Sequence, residues 1–262
     1  MVLPRINRHA LDALAGIRET SPMATAPRFE RLDALRGVAI VWMALFHLGF
    51  DLNYFGLLVP RQNFYVDPFW TLQRTAIVSL FVFTAGLAQA LALDAGQGWP
   101  RFWRRWAQIA ACAVLVSVGS ALMFPKSWIS FGILHGLALM LIAARVMAPL
   151  GSWLWPVGLL LVLLPQWLQD PWFDTRWTNW VGLVTRKPVT EDYAPLLPWL
   201  GVMLWGGAAG QWLIAHRRAA LAGPLPRAVR PLAVLGRWSL SFYMLHQPVL
   251  IGALLAWRWV QG

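Results

Sequence analysis

The chain has 262 residues, of which 58% are hydrophobic and only 13% charged, against roughly 25% charged in an ordinary soluble domain. Mean hydropathy is +0.54, which excludes a soluble enzyme and makes the net charge of +11 a matter of membrane orientation rather than nucleic-acid binding. The single cysteine, Cys112, excludes an internal disulfide and a thiolate metal cluster, and no metal site is expected.

Residues 1–30 are polar, carry Pro4, Pro22 and Pro27, and read as a mobile cytoplasmic tail, with Met23 as an alternative initiator. Residues 31–262 read as a single transmembrane domain. Its apolar runs are Gly37–Leu57, Phe69–Leu93, Trp106–Phe124, Trp128–Leu150, Trp153–Leu168, Leu196–His216 and Leu232–Trp257. Runs of about 20 residues are too long for barrel strands, and unpaired backbone in lipid is costly. The expected fold is therefore an all-α polytopic bundle of seven transmembrane helices. The fifth run is short and holds Pro156 and Pro165, so it is also the place where a re-entrant segment would fall. The cluster Gly206, Gly207 and Gly210 in the sixth predicts a close helix contact.

With seven crossings, the N-terminal region through Arg36 and the loops after spans two, four and six share one side and carry 15 Lys and Arg, against 6 on the other. Positive charge is retained in the cytoplasm, which puts the N-terminus inside. The loop 169–194, with Trp172, Trp177 and Trp180, is then external and anchored at the interface.

Ionisable residues inside a membrane are costly and point to function. His47 and Asp51 stand at i, i+4 on one face of the first span, where a carboxylate beside an imidazole makes a general base. Counting about 1.5 Å per residue, Asp51, Arg74, His135 and His246 fall near one layer in the outer half of the membrane, with His47 just below. These five are the candidate catalytic residues: His47 as base, Asp51 as its orienting partner, and Arg74 or another His stabilising an oxyanion.

The same residues carry a family resemblance. Arg31-Leu32-Asp33-Ala34-Leu35-Arg36-Gly37-Val38-Ala39-Ile40 leading to His47, then Leu80-Phe81-Val82-Phe83-Thr84-Ala85-Gly86, Phe131-Gly132-Ile133-Leu134-His135-Gly136, Tyr193-Ala194-Pro195-Leu196-Leu197-Pro198-Trp199-Leu200-Gly201, and Gly236-Arg237-Trp238-Ser239-Leu240-Ser241-Phe242-Tyr243-Met244-Leu245-His246-Gln247-Pro248 together resemble the heparan-α-glucosaminide N-acetyltransferase catalytic-domain family in its short bacterial form, within the membrane-embedded acyltransferases. The resemblance implies transfer of an acetyl or acyl group from acyl-CoA on the cytoplasmic side to a sugar or glycan on the external side, in a bacterial inner membrane. In the lysosomal branch the reactive His follows the first span; residues 56–68 here contain no His, which leaves His47 as the base.

On that reading Arg31, Asp33, Arg36, Arg104, Arg105 and Arg237 are the candidate donor-binding residues. A basic rim of this kind, with Arg217 and Arg218, suits the phosphates of coenzyme A. The expected partners are the lipid bilayer, acyl-CoA and a glycan acceptor, with no nucleic acid and with self-association left open. Two alternatives stand beside it: a haem-binding redox protein using the intramembrane His residues, and a small-molecule transporter.

Overall fold

The structure is a computed structural model that describes residues 29–261; the expected N-terminal tail and the alternative start at Met23 lie outside the described residues. Among these the chain is all-helical. The main helices are α1 (Glu30–Tyr54), α2 (Pro68–Asp94), α3 (Trp99–Met123), α4 (Ile133–Met147), α5 (Leu154–Trp167), α6 (Leu196–His216), the short α7 (Arg218–Ala222), α8 (Arg230–Arg237) and α9 (Ser239–Gln261).

Local chemistry sets the starts. Asp67 accepts from the Phe69 N–H, with Pro68 in the first turn of α2, where a missing N–H costs nothing. At α4 the carboxylate of Asp192, 59 residues away, accepts from the Ile133 N–H at 2.7 Å. That cap starts the helix at Ile133 rather than near Trp128.

Contact registers give the directions. α1 and α2 are antiparallel: Leu32 packs with Leu87 and Leu91, while Trp42 donates to Gln73 at 3.1 Å and Phe46 meets Trp70 edge-on. α3 and α4 are antiparallel, since the Trp106 indole donates to the Ala138 carbonyl while Ser117 meets His135. After α4 the chain reverses through a 3-10 turn in which Gly151 takes φ +57°, a conformation that favours glycine. α5 then runs back along α6, where Trp205 donates to the Trp155 carbonyl and Gln211 to the Ala148 carbonyl.

The tightest packing is between α2 and α6, which are parallel. Gly86 lies against the Met203 backbone, Gly206 against the Phe83 carbonyl and Gly210 against Leu87. Small residues let two backbones touch, the usual cement of membrane helices, so the predicted glycine contact is present. The main apolar core sits between α2, α3, α4 and α6, with Val82, Ile109, Met140, Met203 and Leu204 buried.

Among the described residues, five helical runs are long and apolar enough to cross a membrane: α1, α2, α3, the α4–α5 stretch and α9. At 15 and 14 residues, α4 and α5 are each only about 21–23 Å long, and α6 departs from helical geometry at Leu197. The expected seventh span, Leu232–Trp257, is two helices. α8 runs antiparallel to α1, with Leu232 against Gly37 and Gly236 against Asp33. The chain then turns at Trp238, and α9 runs parallel to α1, bringing His246 to His47. Bare glycine backbone at positions 37 and 236 is what lets α8 lie so close.

Candidate active site

His47 on α1 and His246 on α9 meet directly: His246 Nε2 is 3.0 Å from His47 Nδ1, with ring centroids 5.0 Å apart. The donor directions follow from one backbone group. His246 Nδ1 lies 2.6 Å from the Tyr243 carbonyl, which can only accept, so Nδ1 carries the proton. In a neutral ring Nε2 is then a bare acceptor and must receive the His47 Nδ1–H. His47 Nε2 is left with its lone pair available, which is the form a general base needs. Phe242 stacks on the His246 ring at an interplanar angle of 3° and Phe46 meets His47 edge-on, which hold the two rings in place.

Asp51 is buried, 4% exposed, but it is not the partner of His47. Its Oδ1 accepts from Gln247 Nε2 at 3.5 Å, a long bond, and both Asp51 Oδ2 and Gln247 Oε1 are buried without a donor. One turn above the histidine pair there are thus two acceptor atoms facing no donor, an arrangement suited to a hydroxyl- or amine-bearing ligand.

His135 stands apart. Its Nδ1 accepts from the Gly132 N–H at 3.3 Å, and its Nε2 meets Ser117 Oγ at 3.1 Å, which donates to the Ile129 carbonyl. With both nitrogens occupied, it ties the start of α4 to α3. Arg74 belongs to an outer cluster, acting electrostatically on Lys187, Asp192 and Tyr65. Burial raises the Asp192 carboxyl above its ordinary pKa, opposed by the Ile133 N–H, Lys187, the Tyr243 hydroxyl and Arg74. Lys187 is pushed down by burial and by Arg74.

A cavity of about 430 Å³ opens between α1, α2, α3, α4 and α9. Its lining on α2 runs from Phe81 to Ala92, about 16 Å along the axis. Its lining includes the polar residues Asp33, Arg36, Gln97 and Arg105 and the apolar residues Phe81, Leu134 and Leu240; Leu240 is less than two turns from His246. Of the predicted donor-binding residues, Asp33, Arg36 and Arg105 line this cavity. Arg36 is 3.4 Å from Asp33 and within electrostatic range of Arg105. Arg237 pairs with Glu30 at 3.7 Å and Asp33 at 3.9 Å, Arg31 donates to the Ala220 carbonyl, and Arg104 is exposed and not in the lining.

The structure adds residues that sequence reasoning passed over: Gln247 beside Asp51, Gln89 in the cavity wall, and Asp192 with Tyr243. Gln89 and Gln247 were visible as amides within apolar runs. Asp192 gave no signal, because its partners lie on α4 and α9.

Helices built to cross a bilayer around a buried polar pair make this an integral membrane protein. A family model described as heparan-alpha-glucosaminide N-acetyltransferase, catalytic, matches residues 28–248, and the chain belongs to that family of membrane acetyltransferases. Neither the curated proteins nor the solved structures give a match.

Proposed function

We propose that the protein transfers an acetyl or other acyl group from acyl-CoA, held in the 430 Å³ cavity, to a sugar or glycan acceptor arriving at the His47–His246 pair from the opposite side. The observation that carries this reading is a cavity whose lining includes Arg36 and Arg105 together with Leu240, a residue of the helix that bears His246; the two histidines are not themselves in its lining. The phosphates of coenzyme A match Arg36 and Arg105, and the reactive thioester lies deeper. The rise from Arg36 to His47 is 11 residues, about 16 Å, a distance suited to an extended pantetheine arm.

In the reaction His47 Nε2 takes the proton from the acceptor hydroxyl or amine as that atom attacks the thioester carbonyl carbon. The oxyanion collapses, the carbon–sulfur bond breaks, and the leaving thiolate takes the proton back from the imidazolium. His246 accepts from His47 Nδ1–H and fixes its tautomer. Asp51 and Gln247 receive the acceptor's remaining donors.

We further propose seven crossings with the N-terminus in the cytoplasm of a bacterial inner membrane. The helices alternate in direction from α1 through α6, and α9 runs with α1, in keeping with the 15 to 6 distribution of basic residues. Arg36 then lies on the cytoplasmic side of His47 along α1, where acyl-CoA would arrive.

The test is incubation of purified protein with radiolabelled acetyl-CoA and envelope glycans. Label is expected in the glycan fraction with wild type and not with His47→Ala. Absence of transfer by wild type to every glycan fraction would sink the proposal.

A further inference from the structure

Gln97 lies in the turn between α2 and α3 and lines the cavity. Three of its polar groups are held by the protein. Its N–H donates to the Ala92 carbonyl, and its own carbonyl and Oε1 both accept from the Arg145 guanidinium on α4. Arg145 is 7% exposed and lies between two aromatic rings, its Cζ 4.6 Å from the Trp99 centroid and 4.8 Å from that of Phe102. A buried guanidinium is costly, and here its side-chain hydrogen bonds go to one residue of the cavity wall. The remaining polar group is the Gln97 Nε2 amide. It has no partner among the described residues and is not one of the buried atoms that lack one, so it is accessible.

We infer that Gln97 binds the nucleotide of the acyl donor through that amide, with Arg145 as the positioning residue that aims it; this rests on the acyl-CoA reading above. The order of groups along the cavity carries the assignment. Phe29 and Leu32 at the start of α1 pack with Leu87 and Leu91 near the end of α2, so the turn that holds Gln97 stands at the end of the cavity where α1 begins. Arg36 is seven residues along α1 from Phe29, and Arg105 is six residues into α3 from Trp99, about 9–11 Å deeper in each case. A donor entering from that end passes Gln97 before it reaches the two arginines. The part of coenzyme A that lies outside its pyrophosphate is the 3′-phosphorylated adenosine, whose phosphate oxygens and ring nitrogens are acceptors. With Oε1 tied to Arg145, Gln97 offers its N–H groups alone, which suits an acceptor-rich nucleotide.

The experiment is equilibrium binding of coenzyme A and of 4′-phosphopantetheine, which lacks the nucleotide, to the full chain purified in detergent. Gln97→Met keeps the length of the side chain without the amide. It is expected to weaken coenzyme A about 5- to 10-fold, the loss of one hydrogen bond, and to leave phosphopantetheine unchanged. Arg105→Ala is expected to weaken both probes. Arg145→Met, or Arg145→Lys if the first does not fold, is expected to weaken coenzyme A in the wild-type chain and to cost nothing further in Gln97→Met, because a positioning residue acts only through the group that it positions. Equal losses for the two probes in Gln97→Met, or no loss for either, overturn the assignment of Gln97. An Arg145 loss of the same size in both backgrounds overturns its positioning role. Wild type that binds neither probe overturns the acyl-CoA reading and this one with it.

Discussion

His47 and His246, 199 residues apart in sequence, share a hydrogen bond of 3.0 Å, and the Tyr243 carbonyl at 2.6 Å from His246 Nδ1 sets the direction of both protons. His47 thereby heads a donor chain that ends on a backbone carbonyl, which leaves its Nε2 as the open acceptor. Removing a positioned base costs about 10²- to 10⁴-fold in rate, so His47→Ala is expected to lose acyl transfer to that degree while remaining folded. His246→Ala frees the tautomer of His47 but keeps its ring, so its loss should be smaller. Single-turnover transfer from labelled acetyl-CoA measures both, and a larger loss at His246 would make that residue the base.

Asp51→Asn keeps an acceptor oxygen beside Gln247 but adds a donor where two buried acceptors now lack one. It is expected to raise KM for the acceptor more than it lowers kcat, and to cost less than His47→Ala. An unchanged acceptor KM would remove Asp51 from the acceptor site.

Gly206 has no room for a side chain, since a Cβ there meets the Phe83 carbonyl oxygen, whereas a Cβ at Gly207 finds its nearest atom at 3.9 Å. Overpacking costs about 1–3 kcal/mol. Gly206→Val should lower the melting temperature in detergent, and Gly207→Ala should leave it nearly unchanged. Equal effects would mean that α2 and α6 are not in this register.

Reporter fusions after Arg105 and after Arg186 are expected on opposite sides of the membrane, the first in the cytoplasm. Both on one side would remove the seven-crossing topology and the orientation of the cavity.

Asp174, in the loop between α5 and α6, accepts from the Thr185 hydroxyl and N–H and from the Arg186 N–H. The Thr185 hydroxyl bond is the first cause holding its carboxyl below the ordinary value of 3.8. A depressed folded value means that this loop's stabilisation is fully present above pH 3.8 and is lost as pH falls through the lower, folded value. Hydrogen exchange at the Thr185 amide, corrected for its intrinsic pH dependence, should follow that course in wild type. Asp174→Ala should exchange fast at every pH, and equal protection in both would show that the carboxylate does not order the loop.

Much of the architecture was legible in the residues themselves. Every apolar run predicted a helix, because in lipid the backbone must bond within its own segment, and Gly206, Gly207 and Gly210 marked a helix contact because only missing side chains allow backbones to touch. That His47, Asp51 and His246 need polar neighbours was likewise readable, since polar groups in apolar runs are costly unless they are partnered. Their partnerships were not. Same-face spacing paired His47 with Asp51, while the folded chain pairs His47 with His246 and Asp51 with Gln247. The break at Trp238 was hidden as well: α8 and α9 form one apolar run, and only the fit of Gly236 against Asp33 and of Leu232 against Gly37 turns the first part back along α1. Helical periodicity determines which residues share a face of one helix, but which faces meet depends on packing between helices distant in sequence, and that was decided by the tertiary structure alone.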